Sequence, residues 1–271
     1  GSMAPVARFG ALVGRGEPDL DVGALAIAAG AHPGLDPDRR LAELDRLAAL
    51  VPAGSGLPGL LETLFEVEGF RGNPEDYYDP RNSLLPHVLR RRTGIPITLA
   101  IVAIEVGRRV GVELDGIGMP GHFLVRDRGS GVHVDVFSGG RTLDDTECEQ
   151  LFRATTGATP GSVPFHRELL PRVSHRQILI RMLENLRGVY ARRRRPADLE
   201  WVLRMRLTVP GPAETAVPLL TELADALGAQ ARWPEAARLL RKAAEDTDAP
   251  LDAAQRDTLR DRARSHLANL N

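Results

Sequence analysis

In 271 residues, a single stretch carries the short apolar blocks of a β-sheet. Leu114 to Gly118, His122 to Arg126 and Val132 to Phe137 read as strands, and the turn-rich Asp127-Arg128-Gly129-Ser130-Gly131 joins the last two as a hairpin. On either side the apolar residues recur at three- and four-residue steps, the period of a helix face. Leu41, Leu44, Leu47 and Leu50 mark one such face and Leu60, Leu61, Leu64 and Phe65 another, punctuated by Pro33, Pro52 and Pro58. A helix is expected to start near Asn82 or Ser83. A second is expected from Pro96, a residue suited to a first helical turn, to Arg109, with Gly111 ending it. Beyond Pro171, helices are expected over 174–194, 197–207, 214–229, 234–245 and 253–268. One small sheet among so many helices restricts the fold to a mostly helical α+β class.

The C-terminal helices repeat weakly. An offset of 37 residues aligns Leu186 with Leu223, Tyr190 with Leu227, Val202 with Leu239 and Leu203 with Leu240. Leu223 to Ala244, with Trp233-Pro234-Glu235-Ala236-Ala237 entering its second helix, looks like a tetratricopeptide unit, whose period is about 34 residues. Two such units fall short of the usual three, so docking on the preceding domain is expected. The chain then divides into an N-terminal helical portion over 4–68, a core over 69–171 and a tetratricopeptide-like α-hairpin array over 172–271. Gly69 to Pro80, which holds two of the three tyrosines, is expected to be an ordered loop, because a linker has little use for adjacent aromatics. Gly1-Ser2-Met3 reads as a tag-cleavage scar ahead of a native Met3.

Charge and cysteine content narrow the function. Thirty-five basic residues against 36 acidic ones leave a net charge of −1, which argues against a polybasic nucleic-acid binder. Lys242 is the only lysine. A lone cysteine, Cys148, excludes an intrachain disulfide and any zinc site needing two or more cysteines, and it suits a reducing, cytoplasmic setting. No apolar run reaches the roughly 18 residues a membrane span requires, so no membrane partner is expected. The arginine run Arg192 to Arg195 reads either as a docking patch for an acidic partner or as a solvated helix end.

The most informative segment joins Asn82-Ser83, a helix entering at Gly94-Ile95-Pro96-Ile97-Thr98, the strand of Pro120-Gly121-His122-Phe123-Leu124-Val125-Arg126, and His133-Val134-Asp135-Val136-Phe137. Residues 69–143 resemble the bacterial transglutaminase-like domain of the Sir-B-one type, a family that often carries tetratricopeptide-like helices at its C-terminus. The resemblance implies a transglutaminase-like, papain-like core with a small antiparallel sheet. It implies that His122 stands at the position of the catalytic histidine and Asp135 at that of the aspartate orienting it. In active members of such folds a thiol at a helix N-terminus is acidified by the dipole and an adjacent imidazolium. Here the cysteine position falls at about Pro96, the nearest hydroxyl is Thr98, and the thiol is absent.

Candidate site residues are therefore His122, Asp135, Thr98 and Glu105, the last because Thr98, Val102 and Glu105 share one helix face. Against this, the ordinary behaviour of helical threonines and charges has Thr98 back-bonding to a helix carbonyl and Glu105 pairing with Arg108 or Arg109. Asn82, Tyr78, Arg126 and Pro96 are candidate ligand contacts. If Arg126 pairs with Val132, Asp135 reaches the face of His122 only through a bulge or a one-residue shift. His133, Asp135 and His122 could also form a metal set, but ordinary strand pairing accounts for them, and neither metal nor cofactor is expected. Cys148, among four acidic neighbours, reads as passive rather than nucleophilic. Two functions remain. One is a cysteine-less binding module for a peptide, protein or small amide-bearing ligand; the other is a non-thiol acyl-transfer or amide-hydrolysing enzyme using His122 oriented by Asp135.

Overall fold

A computed structural model of the chain describes residues 3–157, 165 and 170–271; Gly1 and Ser2 of the expected scar lie outside the described residues. In chain order come α1 (Ala4–Val13), α2 (Leu20–Ala31), α3 (Pro37–Leu50) and α4 (Gly56–Leu61), which runs on into a π-helical turn, Glu62–Val67. Then follow β1 (Arg71–Gly72), a 3-10 turn (Pro80–Ser83), α5 (Leu85–Arg91), β2 (Thr93–Gly94) and α6 (Pro96–Arg109). The sheet region holds β3 (Leu114–Met119), β4 (His122–Asp127), β5 (His133–Asp135), β6 (Arg141–Leu143), α7 (Asp145–Thr156) and β7 (Arg172–Val173). The remainder is helical: α8 (His175–Arg192), α9 (Pro196–Thr208), α10 (Ala213–Gly228), α11 (Trp233–Glu245) and α12 (Ala253–Leu267). None of the described helices is long and apolar enough to cross a membrane.

Local chemistry explains most boundaries. Pro96 opens α6 where its missing N–H costs nothing, and Gly111, at φ +81°, follows the helix end in the left-handed region. The helix expected at Asn82 or Ser83 starts later, at Leu85, because Asp79 caps a separate 3-10 turn by accepting the Arg81 N–H. The third expected strand is short, His133–Asp135, since the Asp135 carboxylate turns the chain by accepting the N–H groups of Phe137 and Ser138. α7 was not among the expected helices. Its start is a reciprocal cap in which Asp144 accepts from the Glu147 N–H while Glu147 accepts from the Asp144 N–H.

The described chain separates into two compact units, between which it passes within α2 and α8. Glu17–Ala28 with Gly34–Met182 forms the first, and the described N-terminal residues through Gly16, Ala29–Pro33 and Leu183–Asn271 form the second. At the centre of the first lies α6, whose residues from Ile97 to Gly107 are all buried, as expected of a helix apolar on every side. α3, α4, α5, β3 and β4 pack around it. The sheet has five strands in the order β6-β5-β4-β3-β7, every pair antiparallel, and β1 and β2 make a separate two-residue parallel pair. In the second unit α1 packs on α9, and α9 to α12 pack each against the next in sequence through a core that includes Leu203, Leu223, Leu227, Leu240 and Leu259.

Candidate functional site

The pleat assigns each strand residue to a face. Met119 pairs with His122, Ile117 with Leu124, Arg126 with His133, His133 with Leu143 and Asp135 with Arg141, so all of these point to one side of the sheet. On that side Ile117, Met119, Leu124 and Leu143 form an apolar cluster with Cys148 and Phe152 of α7 and with Leu170. The opposite side carries Phe123, under the Arg181 guanidinium of α8 at 5.5 Å, and Gly116, where a Cβ would meet Ile178 of α8 at 3.0 Å.

Arg126 pairs with His133, not with the Val132 expected from the sequence. This is the one-residue shift that Asp135 needed, and it brings Asp135 to the face of His122. Continued by two residues, the register sets Asp135 opposite Leu124, diagonal to His122 on the neighbouring strand, a placement that typically separates residues by about 7–8 Å. No hydrogen bond joins the pair among the described residues. Asp135 is buried and its carboxylate is occupied by the Phe137 and Ser138 N–H groups at 3.1 and 3.2 Å. His122, the first residue after the Pro120-Gly121 turn, is half-buried. Gly121 takes φ +75°, and a Cβ there would lie 2.3 Å from Thr155, so the hairpin tip presses on α7.

At the start of α6 the chemistry is structural. Pro96 stands half-exposed at the first helical position. Thr98 is fully buried: its hydroxyl donates to the Asn82 carbonyl at 2.6 Å and accepts the Ile95 N–H at 3.2 Å. The hydroxyl also lies 3.2 Å from the Ile95 carbonyl, three residues back at the helix cap, so the expected back-bond is present beside the shorter bond to another element. Asn82, also fully buried, donates both amide hydrogens to the Asp76 and Tyr77 carbonyls, at 2.8 and 3.2 Å, and accepts from Asn73 at 3.3 Å. Asn73 in turn donates its N–H to the Gly94 carbonyl, extending the β1–β2 ladder to the mouth of α6. The loop expected to be ordered is held in this way, with Asn82 as its anchor.

That loop presents Tyr77 and Tyr78, 40% and 47% exposed, in an edge-on pair 5.4 Å apart. Tyr77 also meets the Phe137 ring edge-on at 6.1 Å, and a Cβ on Gly72 would fall 2.2 Å from the same ring. The chain just past Asp135 is thereby tied to β1 and so to the start of α6. Asn73, Tyr77 and Phe137 were not among the candidate residues. Their signal, adjacent aromatics in a loop rich in turn formers, was present in the sequence, but the partner of each ring lies far along the chain.

Glu105 lies two turns further along α6 and is not linked to His122. It accepts from Arg108 at 3.0 Å and from Arg109 at 3.3 Å, while Arg109 also holds Asp21 of α2 at 2.9 Å. Burial pushes the Glu105 carboxyl above its ordinary range against the Arg108 hydrogen bond, and the charge of Asp21 adds to the rise. Burial also pushes Asp21 up, but its hydrogen bonds with Arg109, Glu105 and the Val22 N–H outweigh this and hold it low. The two behave as a carboxyl pair in which Glu105 holds the proton more tightly. Among the described residues no group of three or more His, Cys, Asp or Glu side chains is placed to hold a metal ion. The single thiol, Cys148, is 1% exposed inside the apolar cluster.

Residues 38–184 match the core of the transglutaminase-like superfamily, more than half of the chain. A UPF0162 protein of Xylella fastidiosa is 49% identical over 134 residues, 47% of this chain and 46% of its own length. A UPF0162 protein of Pseudomonas aeruginosa is 35% identical over 182 residues, 64% of this chain and 66% of its own length. F-box only protein 21 of Mus musculus is 34% identical over 134 residues, 45% of this chain and 20% of its own length. The chain thus spans about half the length of the Xylella relative and about a fifth of the mouse one.

Proposed function

We propose, for a chain that belongs to the transglutaminase-like superfamily, a binding role in place of thiol catalysis. Its ligand is a peptide, a protein or a small amide-bearing molecule, held at the face of His122 and Asp135 and by the aromatic loop at the mouth of α6. One observation carries this reading. Where a nucleophile would open α6 stands Pro96, and the nearest hydroxyl, Thr98, is buried and committed to the Asn82 carbonyl. A hydroxyl without a base to take its proton does not attack an amide at neutral pH, and the one thiol is sealed among apolar side chains. Half-exposed His122 and exposed Tyr78 retain groups suited to recognising a polar amide and an apolar side chain. The C-terminal helices, read as tetratricopeptide-like, would offer a protein-binding surface of their own.

The experiment is a titration of the full chain with a glutamine-containing peptide, followed by amide-proton shifts, beside an assay for ammonia release and hydroxamate formation with hydroxylamine. Saturable binding without turnover is expected, with affinity lowered in His122→Ala and Tyr78→Ala while the melting temperature holds. Turnover in the wild type that falls about 10²- to 10⁴-fold in His122→Ala would replace this reading with the alternative, a non-thiol acyl-transfer or amide-hydrolysing enzyme in which His122 is the general base.

A further inference from the structure

Over residues 196–271, seven arginines hold a carboxylate or, for Arg256, backbone carbonyls. Arg238, Arg241 and Lys242 differ. All three are exposed on α11, and they make no ion pair or hydrogen bond with any described residue. Their spacing of i, i+3 and i+4 sets them on one helix face. Together they line an open groove of about 1070 Å³, with Leu220 of α10 and with Leu239 and Ala243 as its apolar wall.

The helix dipole does not account for this stripe. A negative C-terminal end favours cations in the last turn, which covers Lys242 but leaves Arg241 just ahead of it and Arg238 a turn too early. Glu245 and Asp246, at that same end, have the opposite preference. An apolar wall beside a row of unpaired cations is instead complementary to a helix with apolar residues on one face and carboxylates flanking it. α11 has 13 residues and so offers about 20 Å of such surface. No aromatic side chain lines the groove, so it offers no platform on which nucleobases could stack. Glu245 and Asp246 repel a carboxylate at one end and so set the direction of the occupant.

We propose that the α10–α11 groove docks an acidic amphipathic helical segment of a partner protein. This surface is separate from the α6 site and does not depend on how that site is read.

The test uses the full chain and a fluorescein-labelled amphipathic peptide whose leucine face is flanked by glutamates, beside its Glu→Gln counterpart and an oligothymidylate of matching charge. Saturable binding of the glutamate peptide is expected, falling with added salt as exposed charges are screened. It should weaken roughly tenfold or more in the R238E/R241E double variant, and to a similar extent with the glutamine peptide. Both substituted residues are exposed, so circular dichroism should be unchanged. Because Lys242 is the only lysine, a carbodiimide should join its amine to a peptide carboxylate as an amide, the reagent taking up the water lost as its urea. That product should map to Lys242 and vanish in Lys242→Arg while affinity is kept. Absence of saturable binding, equal affinity for the two peptides, indifference to R238E/R241E, or tighter binding of the oligothymidylate would each overturn the proposal.

Discussion

Thr98 is where a catalytic and a structural role make opposite demands on one atom. A nucleophile needs its hydroxyl near a base and near solvent; Thr98 Oγ1 is buried and ties the 3-10 turn to α6 through the Asn82 carbonyl and the Ile95 N–H. Thr98→Val keeps the shape but leaves both groups unpaired in the interior, so it should destabilise the protein by about 1–3 kcal/mol in denaturant unfolding. Thr98→Ser should recover most of that loss and gain no amide-cleaving activity. Cys148 is the second test at this scale. Its 1% exposure and apolar neighbours predict that iodoacetamide labels it only in denaturant, and that Cys148→Ala costs stability without altering ligand binding. Alkylation of the native thiol at the rate of a free cysteine would contradict the packing described. The missing thiol and Pro96 were plain in the sequence, whereas the commitment of Thr98 was not, because its partner lies 16 residues away across a turn.

Elements show the same division between local and distant causes. α6 runs over the span its proline and its following glycine announce, and β3 and β4 lie within a residue of their expected limits, since each rests on a pattern internal to the segment. β1, β2, β6 and β7 were missed because two or three residues carry no period; they exist only through their partners. The β4–β5 register was misplaced by one because the turn was taken to hold five residues, whereas Asp127 belongs to β4 and donates its N–H to the Val132 carbonyl, leaving four, and that single residue decides whether Asp135 shares the face of His122. Gly72 offers a test of how β1 and the chain past Asp135 are joined. A Cβ there would lie 2.2 Å from the Phe137 ring, and Gly72→Ala should therefore cost roughly 1–3 kcal/mol by overpacking. In a Phe137→Ala background the same change should cost much less. A double-mutant cycle with no coupling would mean that the ring moves aside freely and does not fix the aromatic loop.

Across the whole molecule acid and base nearly cancel, so the pH dependence of stability rests on a few shifted carboxyls rather than on net charge. Asp21, Asp79 and Glu200 are each pushed up by burial, yet hydrogen bonds from Arg109, Arg81 and Arg232 respectively outweigh burial and hold them low. A lowered carboxyl contributes stability that is present above its unfolded value and lost as pH falls through its folded value. These three therefore predict an acid limb below about pH 4. Glu105, raised by burial and by Asp21, works in the other direction: its contribution is complete below the ordinary value of 4.5 and is lost as pH rises through the higher folded value. Glu105→Gln imitates the protonated form, still able to accept from Arg108 and to donate to Asp21. Unfolding free energies of wild type and Glu105→Gln, measured from about pH 4 to about pH 8, should start close together and separate in favour of the variant as pH rises. A constant difference across that range would mean that Glu105 titrates alike in the folded and unfolded chains. The arginines would then hold it as a full carboxylate, and the buried pair would carry two charges rather than share a proton.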